Sequence, residues 1–452
     1  MAAWAFFSSG IAAFSQLQLF GEARRCLVLA PKRVAQFTWP YEIQKWRESF
    51  GHLRAVAALG TPEQRLAALH QKADVTAINY EGLPWLIETL GDQWPYDMVI
   101  ADESTRLKGL RVSTQYGRKK DGSRGEEYIA GQGSKRAKLL AKIAHKRVHR
   151  WINMTGSPAP NGLVDVWGQQ WFTDGGLRLG ASFDAFSHRW FRMAHGSTRE
   201  QQILEPMPFA QQQIERLLAE TSITIDAKDW FDIKVPIERH VMVDLPPKAR
   251  KQYHEMQREL FTYIEEHPLE AFTAGAKATK LLQLANGSVI YEDGKWAPVH
   301  DEKIEALRSI VEETNGEPLL IAYQYVADKE RIMAAFPRFR TLDKDSNKTI
   351  REFQEGRIPG LVVHPKSAGH GLDLQHNCRT LVDYSSGFDL ELDEQVIERI
   401  GPTRQAQLGK DCAVFRYRIV ARDTIEEHAV LPRLQSKASV QDALKEAMKR
   451  LR

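Results

Sequence analysis

Short apolar segments alternate with amphipathic segments along both halves of the chain. An apolar segment of about four to eight residues between turn residues is typical of a buried strand, and apolar positions three or four residues apart are typical of a helix. The predicted strands are Cys26–Ala30, Val75–Asn79, Asp97–Ala101, Trp151–Met154, Leu319–Tyr323, Gly360–His364 and Thr380–Asp383. The predicted helices include Pro62–Ala73, Ser134–Ala144, Asp301–Glu312, Ala327–Ala335 and Leu392–Ile400.

This alternation predicts an α/β fold with two parallel sheets, each covered by helices on both faces. We expect an N-terminal domain at 1–235 and a C-terminal domain at 236–452, because the extended segment Ile233–Pro246 ends at prolines. A helical pattern at about 246–300 predicts an insertion in the second domain. Open parallel sheets bind ligands at the carboxyl ends of their strands, so functional residues are expected directly after the strands.

Composition places the chain among ordinary globular proteins and excludes several classes of site. The 452 residues are 43% hydrophobic and 27% charged, and the net charge of +4 does not by itself imply a nucleic-acid partner. The three cysteines are far apart and form no CxxC pair, which argues against a disulfide framework or a zinc site and favours a reducing cytoplasm. The N-terminal apolar segment follows no Lys or Arg, so neither a secretory signal nor a membrane anchor is expected.

One region is much more basic than the rest of the chain. Residues 118–150 contain eleven Lys and Arg but three Asp and Glu. This excess predicts a surface that follows a nucleic-acid backbone without reading its sequence. An amphipathic helix at Ser134–Arg150 with a solvated basic face is an equally good interpretation. Within this region, Gly117–Glu127 is expected to be an exposed flexible loop.

Two short polar stretches follow predicted strands of the first half. Asp102 and Glu103 end a strand, where one carboxylate could bind Mg²⁺ and the other could orient water toward a phosphoryl group; solvated acids are the simpler alternative. Thr155-Gly156-Ser157 follows the next strand and suits either a hydrogen-bond relay or a plain turn.

Cations and glycines follow strands elsewhere in the chain. Lys32 and Arg33 follow the first strand and either contact a phosphate backbone or belong to a solvated loop. Gly369 and Gly371 permit a close approach of the backbone to a phosphate. His370 between them is expected to form local hydrogen bonds rather than to catalyse.

In this order and at this spacing, these stretches resemble the motifs of helicase-like ATPases of superfamily two. The resemblance is to the Swi/Snf-type branch, in particular its compact phage and prophage members. LVLAPKRVAQFTWPYEIQKW, YDMVIADESTRLKG and WINMTGSPAPNGLVDVW correspond to motifs Ia, II and III, whereas LLIAYQYVADKERI, LVVHPKSAGHGLDLQ and DLELDEQVIERIGPTRQAQ correspond to motifs IV, V and VI. The resemblance implies two tandem RecA-like parallel-sheet domains with helical insertions, ATP and Mg²⁺ as cofactors, and double-stranded DNA as the partner.

The resemblance also implies roles for individual residues. Asp102 would hold Mg²⁺, Glu103 would orient water, and Arg404 with Arg399 would stabilise charge on the γ-phosphate. The other implied contacts are Gln395, Gly371 and Ser9 to ATP, Lys32, Arg33, Ser367, Gly369 and His370 to DNA, and Thr155, Gly156 and Ser157 for coupling. The second arginine of motif VI is displaced by two positions after the Gly401-Pro402 break, so paired arginines in surface salt bridges are the alternative.

The phosphate-binding loop of the family, of the G-x-G-K-T type, has no counterpart here. Its expected place is Phe6–Gly10, where Ser8 or Ser9 offers a hydroxyl, and no cation precedes Arg24. A late or damaged start of the gene, a degenerate ATPase that binds nucleic acid without turnover, and a charge supplied by another residue are the competing explanations. We expect this polypeptide to hydrolyse ATP poorly or not at all, because triphosphate sites depend on electrostatics.

These observations favour a DNA-dependent ATPase or translocase on duplex DNA over a strand-separating helicase. The alternative from another class is a non-catalytic DNA-binding or partner-docking protein on the same fold. A nuclease using Asp102 and Glu103 is a weaker hypothesis, since no further acidic cluster or PD-x-K-like element supports it. Phage replication or recombination proteins are the expected partners, and a bacterial or phage-infected cell is the expected setting.

Overall fold

A computed structural model describes residues 2–118, 124–194, 204–224, 233–266, 271–291, 294–342, 346–368, 372–410 and 412–436. The chain divides into two compact units. The N-terminal unit contains the described residues up to 224, and the C-terminal unit contains those from 233 to 436.

The N-terminal unit is built on a five-stranded, fully parallel sheet with the order β2-β3-β1-β4-β7. Its strands are β1 Cys26–Ala30, β2 Ala55–Ala57, β3 Val75–Asn79, β4 Met98–Asp102, β5 Arg111–Arg118, β6 Arg124–Gln132, β7 Arg150–Met154, β8 Phe191–Met193 and β9 Leu204–Pro206. Its helices are α1 Ala2–Leu19, α2 Trp39–Lys45, α3 Arg47–Phe50, α4 Pro62–His70, α5 Leu83–Leu90, α6 Lys135–Arg147, α7 Asp165–Asp174, α8 Phe183–Trp190 and α9 Ala210–Ala219.

Both faces of this sheet are buried, which explains why its strands are continuously apolar. In β1, Leu27 and Leu29 belong to one hydrophobic core, and Val28 and Ala30 belong to the core on the opposite face. Because successive side chains of a strand point to opposite faces, a five-residue apolar strand supplies both cores at once.

The C-terminal unit is built on a six-stranded, fully parallel sheet with the order β10-β17-β16-β13-β15-β14. Its strands are β10 Ile237–Val243, β11 Ser288–Ile290, β12 Trp296–Pro298, β13 Leu319–Ala322, β14 Arg340–Thr341, β15 Gly360–Val363, β16 Thr380–Asp383 and β17 Phe415–Ala421. Its helices are α10 Pro247–Glu266, α11 Ala271–Ala285, α12 Glu302–Glu313, α13 Val326–Ala335, α14 Ser346–Gln354, α15 Pro365–Ala368, α16 Leu390–Glu398 and α17 Pro402–Gln407.

The predicted α/β class with two parallel sheets is confirmed. The strands predicted at Cys26–Ala30, Val75–Asn79 and Thr380–Asp383 have those bounds in the structure. The expected loop at Gly117–Glu127 is wrong in part, because Gly117 and Arg118 lie in β5 and 124–127 lie in β6. The backbones of β5 and β6 pair antiparallel here, although the sequence of this segment carries no strong strand signal. None of the described helices has both the length and the apolar content needed to cross a bilayer.

Candidate functional site

The carboxyl ends of β1, β4 and β7 bring three of the predicted stretches to one edge of the N-terminal sheet. Leu29 of β1 pairs with Ala101 of β4, and Asp102 of β4 pairs with Met154 of β7. Three stretches therefore follow neighbouring strands in the order Pro31–Arg33, Glu103–Ser104 and Thr155–Ser157. Parallel pairing in register gathers these polar groups even though they are far apart in sequence.

Asp102 is half-buried and its carboxylate accepts a hydrogen bond from the indole of Trp39, with an Nε1–Oδ2 distance of 3.1 Å. Burial raises the pKa of Asp102 to about 6, against the opposing effects of the Trp39 bond and the backbone amide of Glu103. Within the described part of the chain, no ion pair joins Asp102 to a lysine or arginine. A carboxylate in this setting gains from a bound cation, because the cation would supply the missing counter-charge.

Glu103 has a left-handed backbone conformation, with φ 56° and ψ 55°, and precedes the short 3-10 helix Ser104–Leu107. Such a conformation costs a non-glycine residue of order 1–2 kcal/mol and persists only where neighbouring contacts impose it. The hydroxyl of Tyr80 supplies such contacts, because it donates to the carbonyl oxygen of Asp102 at 2.8 Å and to that of Glu103 at 3.4 Å. The carboxylate pair therefore lies on a sharply turned, internally braced segment.

A buried glutamine joins the segment after β4 to the segment after β7. The Ser104 hydroxyl donates to Oε1 of Gln169 at 2.8 Å, and the Gln169 amide donates to the carbonyl oxygens of Pro158 at 2.8 Å and Asp165 at 3.0 Å. Sequence reasoning missed Gln169, because a glutamine in an amphipathic helix carries no distinguishing signal. Its position makes the two segments one hydrogen-bonded unit.

The stretch Thr155–Ser157 forms a tight turn beside Asp102. The backbone amide of Ser157 donates to the Thr155 hydroxyl at 3.0 Å, while Gly156 is exposed and Ser157 is buried. This hydrogen bond within the stretch fits the plain-turn interpretation. The role of these three residues in coupling stays a prediction.

The two cations after β1 differ in environment. Lys32 is exposed, whereas Arg33 is half-buried and burial lowers the pKa of its guanidinium from the ordinary value. Both residues belong to a continuous helical segment that passes through the π-helix Val34–Thr38 into α2. Lys32 and Arg33 are the first two residues of this segment, and they lie at the edge of the sheet that carries Asp102.

The expected place of a phosphate loop is helical. Phe6–Gly10 lies within α1, which runs from Ala2 to Leu19, and Ser9 is exposed on that helix. A Cβ on Gly10 would lie 3.4 Å from side-chain atoms of Ile100 and Met154, so the glycine lets the helix approach the sheet.

In the C-terminal unit, the motif VI segment is bound to the motif V segment. Helices α16 and α17 are separated at Gly401, and Pro402 begins α17. Arg404 is largely buried and donates to Asp373 at 2.5 Å, while the Nε of Arg399 donates to the carbonyl oxygen of Gln395 at 3.2 Å. Arg404 thus has a structural partner, and the role of both arginines at a phosphate stays a prediction.

Part of motif V lies outside the described residues, including the predicted Gly369, His370 and Gly371. Ser367 is exposed in α15, directly after β15. Gln395 is buried on α16; its Nε2 donates to Glu391 at 3.4 Å, and its Oε1 has no hydrogen-bond partner among the described residues.

The later part of the basic region 118–150 forms the amphipathic helix α6. Ser134 caps α6 by accepting a hydrogen bond from the amide of Ala137, and the apolar side packs into the core through residues such as Leu140 and Ala144. The exposed side carries four lysines at spacings of three or four, Lys135, Lys138, Lys142 and Lys146. The helical interpretation is confirmed, and it places a line of positive charge on the surface.

Comparison with known proteins identifies a phage relative. No protein-family model matches the chain. Protein p41 of Acyrthosiphon pisum secondary endosymbiont phage 1 is 46% identical over 446 residues, which cover 97% of this chain and 92% of p41. The chain belongs to the p41 family. That relative comes from a phage, and its name states no activity.

Among solved structures, the p41-family chain is similar to the SWI2/SNF2 ATPase core of Sulfolobus solfataricus. The core in complex with dsDNA is 18% identical, with a TM-score of 0.38 and coverage of 98% of this chain and 86% of that chain. The core domain structure is 18% identical, with a TM-score of 0.37 and coverage of 96% and 82%. The assignment of two parallel sheets rests on the strand registers themselves.

Proposed function

We propose that this protein is a Swi/Snf-type, RecA-like phage protein that binds duplex DNA and turns over ATP weakly. The observation that carries the proposal is the shared sheet edge, where Asp102 and Glu103 lie beside Thr155–Ser157 and next to Lys32 and Arg33. In the family that the motifs resemble, these positions serve Mg²⁺, water, coupling and the nucleic-acid backbone.

The environment of Asp102 fits a magnesium ion. Its carboxylate accepts hydrogen bonds from neutral groups, and burial raises its pKa to about 6, so a bound cation would favour the ionised form. Mg²⁺ bound there would neutralise charge on a phosphoryl oxygen. Glu103 would orient water, and Gln395, Arg399 and Arg404 remain candidates for contacts with ATP.

The helix at Ser8–Gly10 does not fit a triphosphate cradle. A phosphate loop presents successive backbone amides and a lysine, whereas the amides of a continuous helix are used within the helix. Weak turnover follows from this geometry together with the lack of any cation before Arg24. The same observation favours the second candidate, a DNA-binding protein of this fold without turnover.

The exposed lysines of α6 supply a surface for duplex DNA. Four ammonium groups in a line contact phosphates without reading bases, so binding should be independent of sequence and should fall steeply with salt. The line lies on an element packed against the same sheet that carries Asp102.

Duplex binding is tested by fluorescence anisotropy with a labelled 30-base-pair oligonucleotide over a range of salt concentrations. We expect Lys138→Ala/Lys142→Ala to lower the slope of log K against log salt by about 2, roughly one unit per lost phosphate contact. The matched control is Lys348→Ala/Arg351→Ala on α14, where both residues are exposed, and it should leave the slope unchanged. If the slope of log K against log salt were near zero for the wild type, the proposal of duplex binding would be overturned.

Turnover is tested separately by phosphate release from ATP and Mg²⁺ with and without duplex DNA. We expect little or no release, and no difference between the wild type and Glu103→Gln. DNA-stimulated release that Glu103→Gln abolishes would contradict weak turnover and would establish Glu103 as catalytic.

A further inference from the structure

Two large aromatic side chains are exposed on the helical segment that follows β1. Phe37 is 51% exposed and Tyr41 is 57% exposed. They lie four residues apart, so their side chains occupy neighbouring turns of one helix face. Trp39, between them in sequence, is fully buried and faces the core. The aromatic pair is therefore a surface feature and contributes little to the core.

Cations extend the aromatic pair in both directions. Arg33 lies four residues before Phe37 and Lys45 lies four residues after Tyr41, so the four side chains recur at one spacing along the segment. Lys32 and Arg47 are further cations at its two ends, and the one acidic residue between them, Glu42, is buried. The column therefore consists of a half-buried cation, two exposed aromatic side chains and an exposed cation.

The segment contains a π-helix at Val34–Thr38, which includes Phe37. Single π-helical turns within helices are frequent at functional sites. In sequence, this turn follows Lys32 and precedes Trp39. The indole of Trp39 donates a hydrogen bond to the carboxylate of Asp102. The irregular turn and the buried tryptophan hold the aromatic pair at the edge of the sheet where the candidate site lies.

We propose that this column binds a single-stranded nucleic-acid segment, with bases stacked on Phe37 and Tyr41 and phosphates held by the flanking cations. Exposed aromatic side chains interleaved with cations are the surface that unpaired strands require, because every base has a face that can stack. In a duplex the base faces are already stacked and cannot reach these rings. Positive charge at both ends of the column favours a polyanion over an apolar protein partner.

This inference deepens the proposed function and rests on it in one respect, because Arg33 belongs both to the column and to the sheet edge proposed to serve the nucleic-acid backbone. The test substitutes Phe37 and Tyr41 and leaves Arg33 and the lysines of α6 unchanged, so the loss of single-strand binding and the loss of duplex binding are separable. A protein that fails every duplex or turnover test can still bind a single strand here.

The test compares Phe37→Ala/Tyr41→Ala with the wild type by anisotropy, using a labelled 20-nucleotide oligo-dT and a 20-base-pair duplex. We expect the affinity for oligo-dT to fall by about tenfold or more, since each stacked base contributes strongly to affinity. The affinity for the duplex should change by less than about twofold, because these rings reach no base in a duplex.

Two control variants keep the result interpretable. Phe37→Tyr/Tyr41→Phe retains both rings and should bind oligo-dT like the wild type. Tyr291→Ala removes a ring that is 54% exposed in the C-terminal unit and should change neither affinity. An unchanged affinity of Phe37→Ala/Tyr41→Ala for oligo-dT would overturn the proposal and leave the aromatic pair to a protein partner. An equal loss for both nucleic acids would overturn it as well.

Discussion

The two units surround one carboxylate each, Asp102 at the end of β4 and Asp393 on α16, in opposite ways. In the N-terminal unit, burial raises the pKa of Asp102 to about 6, and its partners are the neutral indole of Trp39 and a backbone amide. In the C-terminal unit, burial acts on Asp393 in the same direction, but the charges and hydrogen bonds of Arg416 and Arg418 bring the pKa of Asp393 down to about 2. Among the residues that the structure describes, Asp102 has no ion pair with a lysine or arginine, whereas Asp393 pairs with two arginines.

The C-terminal carboxylates belong to a buried ion network that ties α16 to the sheet. Arg416 donates to Asp383 at 2.6 Å and to Asp393 at 2.6 Å, and Arg418 contacts Asp393 at 2.8 Å. The side chains of both arginines are 6% exposed. The network places the helix that carries Gln395 and leads into Arg399. Charge in this part of the C-terminal unit therefore maintains structure, and at the N-terminal edge the role of Asp102 toward a ligand stays a prediction.

The largest effect is expected from Asp393→Asn. The substitution leaves two buried guanidinium groups with only Asp383 and Glu238 as carboxylate partners among the described residues, so the free energy of unfolding should fall by about 3–5 kcal/mol. Urea unfolding measures the loss. Asp389→Asn, on the same helix, retains an N-cap side chain and should cost less than about 0.5 kcal/mol. Equal stabilities for Asp393→Asn and Asp389→Asn would mean that the network does not hold the helix.

A smaller effect on stability is expected at Asp102, and its dependence on pH has the opposite sign to that of Asp393. Because its folded pKa is raised, the folded state binds this proton more tightly than the unfolded state, so stability falls as the pH rises from about 4 through about 6. Relative to Asp102→Asn, the wild type should lose about 1–3 kcal/mol of unfolding free energy between pH 4 and pH 7. Asp393 has the reverse sign, since its contribution is present above pH 4 and is lost as the pH falls toward 2.

Urea unfolding of the wild type and of Asp102→Asn at several pH values measures this difference. If the unfolding free energies of the two proteins changed with pH in the same way, Asp102 would have an ordinary pKa, and a positively charged group would have to lie close to it. Repeating the series with Mg²⁺ sharpens the comparison, because a bound cation would favour the ionised form and reduce the loss.

The smallest effect is expected from the backbone of Glu103. Glu103→Gly should increase the unfolding free energy by about 0.5–1 kcal/mol, because glycine adopts a positive φ without steric cost. Glu103→Gln keeps the Cβ and should leave stability nearly unchanged. Lys72→Gly, at another positive φ of 50°, is the positive control. A loss of stability in Glu103→Gly alongside a gain in Lys72→Gly would show that the carboxylate, and not the backbone, dominates at this position.

Much of the fold was predictable because a parallel sheet buried on both faces requires apolar strands. Val75–Asn79 and Thr380–Asp383 were located to the residue by that requirement. The hairpin of β5 and β6 was not, because its polar side chains resemble a loop and its pairing comes from a neighbouring strand. The helix through Ser9 was not predicted, because the motif resemblance marked Phe6–Gly10 only as the place of a phosphate loop that this chain lacks.

The sequence by itself determined the α/β class and placed Asp102, Glu103 and Lys32 directly after strands, because periodicity and chain order are local properties. Only the tertiary structure decided which groups meet: the indole of Trp39 at Asp102, Gln169 between two loops, and Asp373 at Arg404. It also decided that Phe37 and Tyr41 face solvent while Trp39 does not. Contacts between distant residues and the exposure of an aromatic ring depend on how elements pack, and a linear pattern carries no record of that packing.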